Sequence, residues 1–240
     1  MEIKKHLRKI INARGFDLHR LTPSSNPAFQ LLKALNHFDI DLVLDVGANV
    51  GQFASELRSV GYKGNLVSFE PLSAAHTALS EAAGRDPKWH VHPRSAIGDY
   101  DGEIEINIAG NSVSSSVLPM TELHSSAAEG SAYVGVESVP LCRLDSVAPA
   151  YLAKSRRPFL KIDTQGFEWQ VLDGAVATLP KIHGIICELS LAPLYEGQLL
   201  WMDIIHRLET DGFTLWSIQK GFTDPRDGRT LQIDAIFFRL

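Results

Sequence analysis

Carboxylates at the ends of apolar runs are the residues of this chain best suited to chemistry. Asp163 follows Phe159-Leu-Lys-Ile162, and Glu188 follows Ile185-Ile-Cys187. A buried carboxylate is costly without partners, so such residues point to a cleft that receives a cation, a hydroxyl or both. If their two strands are neighbours, Asp163 and Glu188 face one cleft. There they are candidates for a general base and for oxygen ligands of Mg²⁺. Glu168 closes the segment Lys161-Ile-Asp-Thr-Gln-Gly-Phe-Glu168, begins the next helix and is expected to orient the site. No His stands at metal-type spacing, so a zinc site is not expected.

A second constellation lies upstream. The apolar run from Asp41 reaches Asp45 and turns through Gly47 and Gly51. A strand ending in such a turn, followed by a helix, builds a floor for an adenosine-type ligand. Glycine lets the backbone approach that ligand closely. A pyrophosphate would gain nothing from a carboxylate at Asp45. S-adenosylmethionine, with an ammonium, a sulfonium and no phosphate, would gain from it. Asn49 replaces the middle glycine of a Gly-x-Gly-x-x-Gly fingerprint. Asn tolerates left-handed backbone and can hydrogen-bond a cofactor carboxylate. Glu70, in Ser68-Phe-Glu-Pro71, is placed to accept ribose hydroxyls. Ser95 and Ala96, in Ser95-Ala-Ile-Gly98, are candidates for the adenine edge and face, with a plain turn weighing equally.

These residues need an alternating frame to position them. Strands are expected at Leu42–Val46, Asn65–Phe69, Trp89–Ile97, Phe159–Ile162 and Gly184–Leu189. Helices are expected over 50–60, 73–83, 167–172 and 199–208. That alternation predicts an α/β fold with a parallel sheet and helices on both faces. Two strands at 213–219 and 232–238 flank the turn-rich Asp224-Pro-Arg-Asp-Gly228 and suit an antiparallel hairpin. The Ser/Ala/Gly-rich segment 111–135, between strands at 103–108 and 136–141, is long enough to be a functional lid.

Residues 1–40 form an N-terminal helical extension, and 41–240 form the main domain. Residues 1–20 hold a basic amphipathic helix ending near Gly15; packing on the domain, covering the substrate and touching an anionic membrane surface are all open. Asn26 and Pro27 then cap a further helix. The net charge of −5 excludes a global nucleic-acid footprint. Cys142 and Cys187, inside apolar runs, are expected to be reduced and buried. No apolar run is long enough to cross a bilayer and no signal pattern is seen, so a cytoplasmic location is expected, with peripheral membrane contact through residues 1–20 left open.

The motifs Asp45-Val-Gly-Ala-Asn-Val-Gly51, Phe69-Glu-Pro71, Ser95-Ala-Ile-Gly98, Ser114-Ser-Ser116 and Lys161 to Glu168 occur in this order. Together they closely resemble the FkbM family of S-adenosylmethionine-dependent methyltransferases, from about Asp41 to Glu188. Gln165 stands where that family usually has an acidic residue. The resemblance implies a class I methyltransferase (Rossmann-like) fold with a mostly parallel seven-stranded sheet. It also implies O-methylation of a sugar, glycolipid or polyketide-type hydroxyl. Cofactor binding would fall to Asp45, Gly47, Asn49, Gly51 and Glu70, with segment 111–118 close by. A nicotinamide-dependent oxidoreductase is the rival enzyme, but Tyr151-Leu-Ala-Lys154 is one residue short of the Tyr-x-x-x-Lys it would need. A non-catalytic nucleotide-binding module is the third reading.

Overall fold

The computed structural model describes residues 8–16 and 20–240. Residues 1–7 and 17–19 of the expected basic helix segment lie outside them. Residues 8–12 are helical, and Ile10 and Phe16 are 42% and 70% exposed.

Helix α1 (Pro27–His37) begins where Asn26 Oδ1 accepts the Phe29 N–H at 2.7 Å. Its apolar stripe Leu31, Leu32 and Leu35 joins one hydrophobic cluster with Val43, Phe159 and Ile236. Helix α1 thus shares a hydrophobic cluster with the residues that follow position 40. From there the chain runs β1 (Leu42–Val46), α2 (Gln52–Val60), β2 (Asn65–Phe69), α3 (Ser73–Ala83), β3 (Trp89–Val91), β4 (Ala96–Gly98) and β5 (Gly102–Ala109). Next come α4 (Glu122–Ala127), β6 (Tyr133–Arg143), α5 (Leu144–Val147), α6 (Pro149–Leu152) and β7 (Pro158–Ile162). Helix α7 (Glu168–Asp173), β8 (Gly184–Ser190), α8 (Trp201–Thr210), β9 (Thr214–Lys220) and β10 (Gln232–Phe238) complete it.

Seven strands form one sheet in the order β3-β2-β1-β7-β8-β10-β9. The first five are parallel, and β10 runs antiparallel to both neighbours. All five residues of β1 are buried, as in a strand covered on both faces. Chain order reverses between β1 and β7, the switch point beside which open α/β sheets bind ligands. The later strand of the C-terminal hairpin inserts inside, leaving β9 at the edge.

One expected strand divides. Trp89–Ile97 is not continuous: β3 pairs with β2, whereas β4 joins a second sheet of order β4-β6-β5. Pro93 lies at the break, where a residue without an N–H cannot extend a ladder. The second sheet packs Ile106, Val139 and Leu141 against Leu72, Ala75 and Phe167, beside the carboxyl ends of β1 and β2. Segment 111–135 contains α4 and arches over the same edge. Both cysteines are free, with Cys187 buried and Cys142 half-buried rather than fully covered.

Candidate active site

A cavity of about 730 Å³ opens at the carboxyl edge of the sheet. That volume lies in the ~300–1,000 Å³ range of small-molecule sites. Gly47, Asn49, Glu70, Ser95, Ala96, Asp163 and Glu188 line it; Asp45, Gly51 and Glu168 do not.

Gly47 and Asn49 both take left-handed backbone, with φ of 77° and 47°. A Cβ on Gly47 would stand 1.8 Å from the Asp163 carbonyl oxygen, so glycine is required where β1 and β7 leave the sheet together. The Asn49 N–H donates to Glu70 Oε2 at 2.8 Å, and the Leu72 N–H donates to Oε1 at 2.9 Å. Glu70 is thereby fixed at the cavity floor, each oxygen keeping a lone pair for a ligand hydroxyl. Burial raises its carboxyl to about 7, against the two N–H donors and Lys161; Asp45 adds to the rise. Gly51 answers to packing: a Cβ there would meet Trp89 at 2.9 Å.

Asp45 lies beneath the cavity rather than on its lining. Its carboxylate is fully buried beneath the turn, accepting Ser68 Oγ at 3.0 Å and standing 3.2 Å from Lys161 Nζ. The cation it meets is one of the chain's own. Lys161 Nζ also donates to the carbonyls of Gly47, at 2.7 Å, and Val46, at 3.3 Å, and lies 3.4 Å from Asp163 Oδ2. Burial opposes the ammonium charge, but Asp45 and Asp163 outweigh it and hold Lys161 above its ordinary value.

Asp163 and Glu188 face one cleft, because β7 and β8 are neighbours. Gln165, itself left-handed at φ 55°, bridges them. Its Nε2 donates to Asp163 Oδ1 at 3.0 Å and to Glu188 Oε2 at 2.7 Å. Tyr195 OH donates to Gln165 Oε1 at 2.9 Å and so fixes the amide orientation. Gln232 Nε2 donates to the same Glu188 oxygen at 2.6 Å. Burial pushes the Glu188 carboxyl well above its usual range, with Asp163, Asp234 and Glu168 adding and Lys161 opposing. The Mg²⁺ for which Asp163 and Glu188 were candidate ligands does not fit this arrangement. The Gln165 amide nitrogen occupies the place between the two carboxylates, and no group of three or more His, Cys, Asp or Glu is set to hold a metal among the described residues. Glu168 closes the turn below, accepting Thr164 N–H at 2.8 Å and Gly166 N–H at 3.0 Å. Burial raises it to about 7.

The roof comes from segment 111–118 and α4. Asn49 Nδ2 donates to Ser112 Oγ at 3.3 Å, and Ser116 Oγ donates to the Gln165 carbonyl at 2.6 Å. His124 Nε2 meets Ser114 Oγ at 3.1 Å. Ser95 spends its hydroxyl on the Pro93 carbonyl at 3.2 Å, leaving Ala96 and Ile97 as an apolar wall.

The sequence reading missed Asp234, Gln232, His124 and Phe222, all of which line the cavity. Asp234 had a legible signal, an acidic residue inside Gln232-Ile-Asp-Ala-Ile-Phe-Phe238. His124 and Phe222 had none.

A family model described as the methyltransferase FkbM domain matches residues 45–216, which include every one of these motifs. The chain belongs to the FkbM methyltransferase family. It is an S-adenosylmethionine-dependent methyltransferase with a class I, Rossmann-like fold. This FkbM methyltransferase is 29% identical over 164 residues to the 2-O-methyltransferase NoeI of Sinorhizobium fredii, covering 66% of this chain and 67% of that one. Among solved structures, an rRNA methylase from Streptococcus thermophilus is 9% identical, with a TM-score of 0.48 over 90% of this chain and 98% of the other. TehB from Haemophilus influenzae is 7% identical, with a TM-score of 0.47 over 88% of this chain and 62% of the other.

Proposed function

We propose that this methyltransferase transfers the methyl group of S-adenosylmethionine to a hydroxyl oxygen of a sugar, glycolipid or polyketide-type acceptor. The observation that carries the reading is the bridged pair Asp163–Gln165–Glu188 beside the donor floor of Gly47, Asn49 and Glu70. An alcohol keeps its proton near neutrality, so its oxygen benefits from a carboxylate base as it attacks. Asp163 is that base and Glu188 its partner. Glu168 acts through the turn it closes. The sulfonium makes the methyl a good electrophile, so much of the rate comes from holding oxygen, carbon and sulfur in line. The 2-O-methyltransferase named among the relatives supports an oxygen acceptor.

Ile10 and Phe16, exposed beside Lys9 and Arg14, favour a lipid-linked form of that acceptor at an anionic surface. The test is radiolabelled methyl transfer to a panel of glycosides, glycolipids and macrolides, followed by product analysis. A methyl ether supports the reading; a methylated nitrogen or carbon contradicts it.

A further inference from the structure

The ionisable side chains lining the cavity are mostly carboxylic acids. Glu56, Glu70, Glu129, Asp163, Glu188 and Asp234 line it, and Lys161 is the one Lys or Arg that does so among the described residues. The Lys161 ammonium is already shared by Asp45, Asp163 and two carbonyls of the β1 turn. His124, only 2% exposed, adds no charge: burial lowers it to about 4, so it is neutral near pH 7. Its Nε2 meets Ser114, and its Nδ1 has no protein partner.

The proposed donor floor uses Gly47, Asn49 and Glu70, with Asp163 as the base. It leaves the far wall, where β8 and β10 face each other, to the acceptor. There Glu188 is engaged by two amides, while Asp234 stands opposite it in register. Asp234 lines the cavity and, among the described residues, neither accepts a hydrogen bond nor forms an ion pair. A largely buried carboxylate without a donor gains much from one that a ligand brings. An anion brought to the same wall finds no cation there among the described residues and meets the Asp234 carboxylate, raised by burial to about 6 and so still mostly ionised at neutral pH, in a medium that screens it poorly.

We propose that the acceptor half of the cavity selects uncharged or amine-bearing polyols and rejects phosphorylated or carboxylated ones, with Asp234 receiving the acceptor's amine or hydroxyl. The inference rests on the hydroxyl-acceptor reading above and narrows its substrate class. Asp234 determines specificity by contact with the acceptor, and Asp163 keeps the proton-transfer role.

The test uses protein saturated with S-adenosylhomocysteine and three probes of one size: the methyl glycosides of glucosamine, glucose and glucuronic acid. Calorimetry should rank them in that order, with the glucuronide silent. In Asp234→Asn, which keeps shape and size, the glucosaminide should lose about ten- to a hundredfold in affinity, the range for a hydrogen bond to a charged group. Equal binding of glucuronide and glucosaminide overturns the proposal, as does an unchanged ranking in the variant. Binding of none of the three, with S-adenosylhomocysteine still bound, removes it and leaves the donor site standing. Failure of S-adenosylhomocysteine itself to bind strikes the donor reading, and the proposal with it.

Discussion

Lys161 Nζ stands 3.2 Å from Asp45 Oδ1, with both groups buried where the ends of β7 and β1 lie side by side. The pair clamps the floor turn from beneath, since the same ammonium also holds the Gly47 carbonyl. Lys161→Met would leave Asp45 buried without its cation. The expected cost is about 3–5 kcal/mol, as for other broken buried pairs. Denaturant unfolding checks it. A loss under about 1 kcal/mol, the scale of an exposed pair, would demote the clamp to a surface-like contact.

Asp163→Asn should keep the fold, because an amide fills the same volume at a half-buried position. Turnover should fall by about 10²–10⁴, the usual contribution of a general base. EDTA treatment of the wild type should leave turnover unchanged, since the Gln165 amide fills the place between Asp163 and Glu188. Steady-state kinetics with one accepted glycoside decides both points. Near-normal turnover in the variant would remove Asp163 from its role, and restoration by Mg²⁺ after EDTA would reinstate a metal.

Glu70 is raised to about 7, so its charged form is disfavoured in the ligand-free protein. The stabilising effect of a raised carboxyl is fully present below its unfolded value and is lost as pH climbs through the folded one. Glu70 and Glu168 together should therefore make the ligand-free protein lose stability between about pH 4.5 and 7. Ribose hydroxyls donate best to the ionised form, so donor affinity should rise over the same window with release of a proton. Titration of S-adenosylmethionine in buffers of different ionisation enthalpy reads that proton. Flat affinity with no proton exchange would take Glu70 out of the ribose contact.

Deletion of residues 2–20 should weaken binding to anionic liposomes while donor affinity persists. Co-sedimentation with vesicles containing phosphatidylserine measures the first and calorimetry the second. Unchanged sedimentation would discard the lipid-linked acceptor.

Much of this architecture was legible because local chemistry and global fold agree. The all-apolar approach to Asp45, the glycines with φ above zero, and Asn26-Pro27 each signalled a conformation that the structure adopts. What the sequence did not make legible shares a cause. Asp45 and Gly51 carry the residue types of a ligand floor, but type does not tell which side of the backbone a group faces. Asp45 faces Lys161, whose partnership depends on β7 returning beside β1 more than a hundred residues later. Pro93 was a readable break that the apolar run around it obscured. The roof residues are contributed by long-range contacts, such as Ser116 with Gln165 and Asn49 with Ser112, and no local period encodes them.

The central claim is tested most directly by calorimetry of EDTA-treated protein with S-adenosylmethionine and, separately, with NADH. The account predicts saturable heat with S-adenosylmethionine at one site per chain, lost or strongly weakened in Glu70→Ala, and none with NADH. Heat with NADH and none with S-adenosylmethionine would contradict it and turn the same cavity over to hydride transfer.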